Sequence, residues 1–401
     1  MSFPFEFVLF GGTLLCVAVF HHHTLKVAVF GLLVITAFKL MFGEFEGVAG
    51  AAGLFRHLAG EWVGITNLFA LLVGFALLSR HFELSHIPHR LPSVLPDDWK
   101  GGFVLLALVF VLSSFLDNIA AAIIGATVAA TVYQRRVHIG FLAAIVAASN
   151  AGGAGSVVGD TTTTMMWLQG VSPLDVLPAY VASVAAFLVF AFPAARQQQK
   201  FAPIAREAIP DSRIDVSRVI VVALILGGAI AANVYANTLP PEQSNAFPFI
   251  GASVVGLLLL LAPWRRPDWM VVPGAVRGAL FLLSLVISAS MMPVDSLPEP
   301  SALSTFGLGL VSSVFDNIPL TKLALEQGGY DWGATAFAVG FGGSLIWFGS
   351  SAGVAVSNLF PEAKSVGQWL RQGWHVAVGY VVGFLVFLLL LGWRPEGPYL
   401  E

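Results

Sequence analysis

Ser113-Ser114-Phe115-Leu116-Asp117-Asn118-Ile119 is the stretch on which the reading of this chain turns, because it returns as Ser312-Ser313-Val314-Phe315-Asp316-Asn317-Ile318, offset by 199 residues. Both copies lie in the middle of apolar segments, 101–133 and 301–327. Each segment is too long for one ordinary span of roughly 20 residues. Each is too short for two full crossings at about 1.5 Å per residue. A polar Asp-Asn pair at the centre of such a segment predicts a re-entrant hairpin, which runs in to the midplane, turns, and leaves by the same side. Irregular backbone at that depth is tolerated only where protein or a water-filled cavity surrounds it.

The rest of the chain places these hairpins in a bilayer. Of the 401 residues, 57% are hydrophobic and only 11% charged, with mean hydropathy +0.83. Soluble domains carry about a quarter charged residues, so most of this chain does not face water. Apolar runs at 4–20, 25–42, 60–79, 138–168, 176–195, 217–235, 247–264, 272–292, 331–358 and 372–393 read as crossing helices. The expected fold is therefore an all-α polytopic membrane protein with about ten transmembrane helices plus two re-entrant hairpins. Its surroundings are membrane lipids. The net charge of −3 gives no reason to expect a nucleic-acid partner. The single cysteine, Cys16, allows neither a disulfide nor a Cys-based metal site. Met1–Phe10 lacks a basic n-region, so the first apolar run reads as a retained helix rather than a cleaved signal. With no nucleotide-binding loop, dinucleotide fingerprint or nucleophile elbow, neither an enzyme nor an organic cofactor is expected.

Basic residues set the expected orientation. Loops near 21–26, 80–100, 134–136, 196–218, 265–277 and 361–371 carry 16 of the 20 Lys and Arg residues. Placing these loops in the cytoplasm satisfies the positive-inside rule. Both termini then lie outside the cytoplasm, in a plasma (inner) membrane. The count works only if each Asp-Asn segment enters and leaves on one side.

A second pair of motifs extends the repeat. Gly152-Gly153 and Gly159-Asp160-Thr161 are echoed by Gly342-Gly343 and Gly349-Ser350-Ser351, offset by 190 residues. Two halves follow. Residues 1–195 hold three helices, hairpin 101–133, interrupted helix 138–168 and helix 176–195. Residues 217–401 repeat the plan with hairpin 301–327 and interrupted helix 331–358. A polar, Gln-rich basic tract, 196–216, reads as the cytoplasmic linker. An odd number of crossings per half inverts the second half relative to the first. Inverted repeats with matched glycine-interrupted helices place a transport site at the repeat interface.

Asp117, Asp160 and Asp316 carry the expected chemistry. An ionised carboxylate deep in a membrane helix costs at least roughly 2.5–3.5 kcal/mol, and is retained to bind a cation, to take up a proton or to pair with a base. A structural alternative is that such carboxylates cap the amides of broken helices. Neutral oxygens surround them in the sequence: Ser149-Asn150, Ser156 and Thr161-Thr162-Thr163-Thr164. Glycines let the backbone unwind, which frees carbonyls suited to a hard cation and amides suited to an anion. Three acids against one base favour the cation. That base is Lys322, read either as snorkelling to the nearer surface or as a charge partner of Asp117 or Asp160. Lys39 reads as snorkelling, and His21-His22-His23 as an interfacial loop.

At these motifs the sequence resembles the NhaD-type sodium/proton antiporters, within an ion-transporter superfamily that includes arsenite and citrate/dicarboxylate carriers. The stretch from Ser149-Asn150-Ala151-Gly152-Gly153-Ala154 through Gly159-Asp160-Thr161-Thr162-Thr163-Thr164-Met165-Met166-Trp167 looks like the family's Asn-Ala-Gly-Gly-Ala…Gly-Asp-x-Thr-Thr-Thr-Met-Leu-Trp motif. Asp316-Asn317-Ile318-Pro319-Leu320 and Gly342-Gly343-Ser344…Gly349-Ser350-Ser351 look like its second-half motifs. The resemblance covers roughly residues 100–393. It implies the superfamily's inverted-repeat fold, a homodimer, and elevator movement of a transport domain. It implies exchange of Na+ (or Li+) for H+ at a site drawn from Asp117, Asn118, Ser149, Asn150, Asp160, Thr161, Asp316, Asn317, Ser344, Ser350 and Ser351, with Asp117, Asp160 and Asp316 as the Na+ ligands. Two stretches depart from the family pattern. Ala120-Ala121-Ala122 stands where the family has a threonine cluster, and Thr321-Lys322 where it is apolar. The alternative function on the same fold is a Na+- or H+-coupled carrier of a small anion such as citrate, a dicarboxylate or arsenite.

Overall fold

A computed structural model describes residues 4–20, 23–45, 47–90, 95–205, 214–244 and 246–395. The expectations for His21 and His22, and for the linker positions 206–213, fall outside these residues. The chain is a polytopic, all but wholly helical membrane protein. Among the described residues the one departure from helix and loop is a two-residue β-ladder, β1 (Glu44–Phe45) against β2 (Val48–Ala49), between the second and third helices.

In chain order the helices begin with α1 (Phe5–Val19), α2 (Thr24–Phe42), α3 (Gly50–Glu83) and the single turn α4 (Ile87–Arg90). Next come α5 (Trp99–Ser113) and α6 (Asn118–Val132), separated by the first Asp-Asn break, then α7 (Ile139–Gly153) and α8 (Thr161–Leu168). The turn α9 (Pro173–Val176) leads into α10 (Ala179–Phe201). The second half supplies α11 (Val216–Thr238), the turn α12 (Pro241–Ser244), α13 (Phe249–Leu261) and α14 (Val272–Ser290). The series ends with α15 (Ala302–Ser312), α16 (Asn317–Gln327), α17 (Trp332–Gly342), α18 (Ser351–Leu359), α19 (Val366–Gln372) and α20 (Trp374–Leu391).

Six helical stretches are long and apolar enough to cross a bilayer: 24–42, 50–83, 173–201, 216–236, 269–290 and 374–391. The runs expected to span at 4–20 and 247–264 are the shorter apolar helices α1 and α13. The largest revision is α3. A span was expected only over 60–79, yet the helix holds 34 residues. Arg56, His57 and Glu61 give its first turns the look of a loop. Distant residues receive that polarity instead: His57 Nε2 lies 2.9 Å from Ser290 Oγ on α14. The expected linker also begins late, since α10 continues through the Gln-rich run to Phe201. Unbranched glutamines suit a helix, and Gln198 is held there, accepting from His138 N at 2.7 Å and donating to Arg136 O at 3.1 Å.

Packing places most helices in two groups, with α16 also lying against α14. One is α1, α2, α3, α11, α13 and α14, which lie against one another. In the other, α5 packs on α7, α15 on α17, and α10 on α20. The two Asp-Asn segments cross over: α6 lies against α18, and α16 against α8. At the centre, every residue of α7 and of α17 is buried. Such a helix, apolar all round, belongs in the interior. Its small residues permit backbone contact. A Cβ on Gly152 would stand 2.0 Å from Phe110 O, and one on Gly342 would stand 2.1 Å from Gly309 O. Phe110 and Gly309 are 199 positions apart, the offset of the Asp-Asn motifs.

Candidate functional site

Each break is organised by a side chain that closes the next helix. Asp117 caps α6, with Oδ2 accepting from Ile119 N at 3.2 Å. Asp316 caps α16 in the same way, with Oδ1 accepting from Ile318 N at 3.2 Å. Their backbones match too, at φ −51°, ψ 140° and φ −54°, ψ 142°. In the interrupted helices Asp160 caps α8, its Oδ1 lying 3.4 Å from Thr162 N. Ser350 caps α18, accepting from Gly353 N at 3.2 Å. Such caps occupy the amides that a helix start leaves without partners. The structural role weighed from sequence is thus real for all three acids.

Capping does not exhaust Asp160. Asn118 Nδ2 donates to Asp160 Oδ1 at 3.0 Å and to Asn150 Oδ1 at 3.2 Å. Asn150 Nδ2 in turn donates to Ser344 Oγ at 2.9 Å and to Ser350 Oγ at 3.2 Å. One step along the chain, Ser351 Oγ donates to Asp316 Oδ2 at 3.3 Å. A chain of bonds therefore runs from the acid of one half to the hydroxyls of the other. Asp160 is 1% exposed, and its Oδ2 has no hydrogen-bond partner. That oxygen faces Gly340, where a Cβ would stand 3.0 Å away. A buried polar atom is nearly always satisfied, so an unpartnered carboxylate oxygen marks a place where a proton or a cation fits. Nearby carbonyls are partly used: Asp160 O accepts from the hydroxyls of Thr163 and Thr164 at 2.9 and 2.8 Å.

A cavity of about 710 Å³ opens onto this cluster. Asp117, Asn118, Asp160, Thr161, Asn317 and Ser351 line its inner end, and Arg80, Glu83 and Asp268 line its mouth. Arg80 bridges the two mouth acids, with Nη1 2.8 Å from Glu83 Oε2 and Nε 2.9 Å from Asp268 Oδ2. The walls between are apolar, from Leu68, Leu71, Phe75, Ile123 and Leu282.

The structure revises several expectations. Among the described residues no three His, Cys, Asp or Glu side chains gather as a compact metal group; Asp117 and Asp160 line one cavity, and Ser351, which donates to Asp316, lines it too. Ser149 turns away and donates to Val146 O within its own helix at 2.9 Å. Lys322 pairs with neither Asp117 nor Asp160, and it does not snorkel. It is 1% exposed, with Nζ 3.0 Å from Glu61 Oε2 and 2.5 Å from Glu326 Oε1. Glu326 sits at i+4 from Lys322, a pairing the spacing makes legible. Glu61 leaves no such local signal. Lys39 is also drawn inward, donating to Met291 O at 2.7 Å.

No protein-family model matches the chain. Individual relatives do. The chain is 27% identical over 362 residues to sodium/proton antiporter 1 of Arabidopsis thaliana, covering 81% of this chain and 60% of that protein. It is 26% identical over 339 residues to sodium/proton antiporter 2 of the same plant, covering 75% of this chain and 78% of the relative. Against the Na(+)/H(+) antiporter NhaD of Vibrio cholerae it is 25% identical over 335 residues, 71% of this chain and 69% of the relative. The chain thus spans less than two thirds of the first plant protein's length. These relatives are transporters by name. The chain is thus a distant homologue of the NhaD-type and plant sodium/proton antiporters.

Proposed function

We propose that this protein is a secondary transporter that exchanges Na+ (or Li+) for H+ by alternating access. One observation carries the reading: the buried Asp160 carboxylate has one oxygen held by Asn118 and the other free, at the end of a cavity. Such a carboxylate takes a proton or a cation, not both. Protonation expels the cation, and cation binding expels the proton. Asn118, Asn150, Thr161, Asn317, Ser344, Ser350 and Ser351 supply and steady the neutral oxygens, while Asp117 and Asp316 close the helix starts beside them. In this reading the ligand set combines the carboxylates with carbonyls, hydroxyls and amides, as a hard monovalent ion requires.

The architecture in this reading is two inverted halves, 1–195 and 217–401, with re-entrant hairpins at 101–133 and 301–327. Matched caps at Asp117 and Asp316, and matched backbone contacts at Gly152 and Gly342, support it. The group containing α5–α8 and α15–α18 would move as an elevator against α1–α3 and α11–α14, in a homodimer, with both termini outside the cytoplasm of the plasma (inner) membrane. The anion-carrier alternative loses its base, because Lys322 is committed to Glu61 and Glu326.

Proteoliposomes holding an internal pH dye test the exchange. External Na+ or Li+ is expected to alkalinise the lumen of wild-type vesicles and to leave Asp160→Asn vesicles unchanged. Asp316→Asn is expected to fail as well. Near-wild-type exchange in both variants would reject a carboxylate shared by cation and proton. Proton movement driven by citrate or arsenite instead would identify the anion carrier.

A further inference from the structure

Away from Asp117, Asp160 and Asp316, the buried Lys322 forms an ion triad with Glu61 and Glu326. We propose that this triad is the gate that seals the far end of the cavity, and that its Glu61–Lys322 arm breaks when the site faces the other side of the membrane. The inference rests on the alternating-access reading and adds the residues that hold one side shut.

Position is the first argument. Along α3 the cavity runs from Arg80 at the mouth to Leu68, about 18 Å of helix rise. Glu61 lies seven residues further on, about 10 Å beyond the last wall residue. On α16 the cavity touches Asn317 and Ile318, and Lys322 lies one turn past them, about 6 Å. The triad therefore stands just behind the closed end, on the side away from Arg80. Glu61 and Glu326 are 23% and 27% exposed in their side chains, against 2% for Lys322. The ammonium is thus buried more deeply than either of its acids.

Connectivity is the second argument. Glu61 belongs to the group of α1–α3 and α11–α14, whereas Lys322 and Glu326 lie on α16, the helix that Asp316 caps. Lys322–Glu326 is internal to one helix and survives any rigid movement of it. Lys322–Glu61 joins the two groups across 261 positions of sequence. Sliding one group past the other stretches only that arm. Glu326 keeps the ammonium paired meanwhile, which avoids the large penalty of an isolated buried charge. Two acids around one base give the arm a standby partner.

Sided thiol labelling tests the gate. In a Cys16→Ser background, Leu72→Cys places a reporter on the cavity wall, and a membrane-impermeant maleimide is applied to either face of oriented proteoliposomes. The parent is expected to label mainly from the Arg80 face. Adding Glu61→Gln is expected to raise labelling from the opposite face about tenfold, a population shift of about 1.4 kcal/mol. Adding Glu61→Asp instead, which keeps the carboxylate, is expected to keep the one-sided pattern. A thiol-specific bifunctional cross-linker joining Glu61→Cys to Lys322→Cys is expected to fix labelling on the Arg80 face and halt exchange. Unchanged labelling in Glu61→Gln, or normal exchange in the cross-linked protein, would overturn the gate while leaving the Asp160 mechanism in place. A parent labelled equally from both faces would overturn the gate together with alternating access.

Discussion

Asn118 is the side chain on which the acid's geometry depends. Its amide donates to Asp160 and to Asn150 at once, so it fixes which carboxylate oxygen is spent and which stays open. In Asn118→Ala both acceptors lose their donor in a buried setting, where a hydrogen bond to a charged group is worth about 1.5–3 kcal/mol. Apparent affinity for Na+ is expected to fall roughly 10- to 100-fold, with the protein still folded. Ion titration of vesicle exchange against thermal stability in detergent checks this. Equal affinity in the variant would mean that the amide only fills space. At this scale the sequence speaks clearly for acids in apolar surroundings, because their cost leaves few reasons to keep them. It is silent on Glu61, whose partner is brought close only by the fold.

Two elements invite tests of packing and of charge. The first is the contact between α7 and α5, where Gly152 meets the Phe110 carbonyl. Gly152→Ala forces these helices apart, and such overpacking costs about 1–3 kcal/mol. A lower melting temperature is expected, and Gly342→Ala, against Gly309, is expected to match it. Unaltered melting in both would mean that the helices separate without cost. The second element is the start of α11. Asp215 accepts from the Ser217 hydroxyl and from Arg265 Nη2 at 3.2 Å, with Arg218 close by. The Ser217 hydrogen bond, then the two guanidiniums, holds its carboxyl below the ordinary 3.8. A depressed carboxylate contributes stability above its unfolded value and loses it as pH falls through the folded one. Arg265→Ala is therefore expected to lower stability at pH 7 by no more than about 1 kcal/mol. The gap from wild type should close below pH ~3, and a gap that persists there would exclude Asp215 as the cause. Elements with a period or a break are legible in sequence, as the Asp-Asn segments are. The early turns of α3 are not, because their polar residues look like a boundary until Ser290 and Lys322 are seen to meet them.

Across the whole molecule, what the sequence conceals is how its segments pair. Offsets of 199 and 190 residues announce a repeat, yet they do not say that α6 lies against α18 and α16 against α8. That exchange brings Asn150 to Ser344 and Ser350. It has a consequence for how such a chain drifts through descent. One amide answers to two hydroxyls almost two hundred positions away, so neither end can be revised alone. Exchanging the asparagine for another polar group would strand the serines, and bulkier serine replacements would crowd the asparagine. Relatives that carry a different residue at either place should carry a matching change at the other, as two signatories must initial the same amendment.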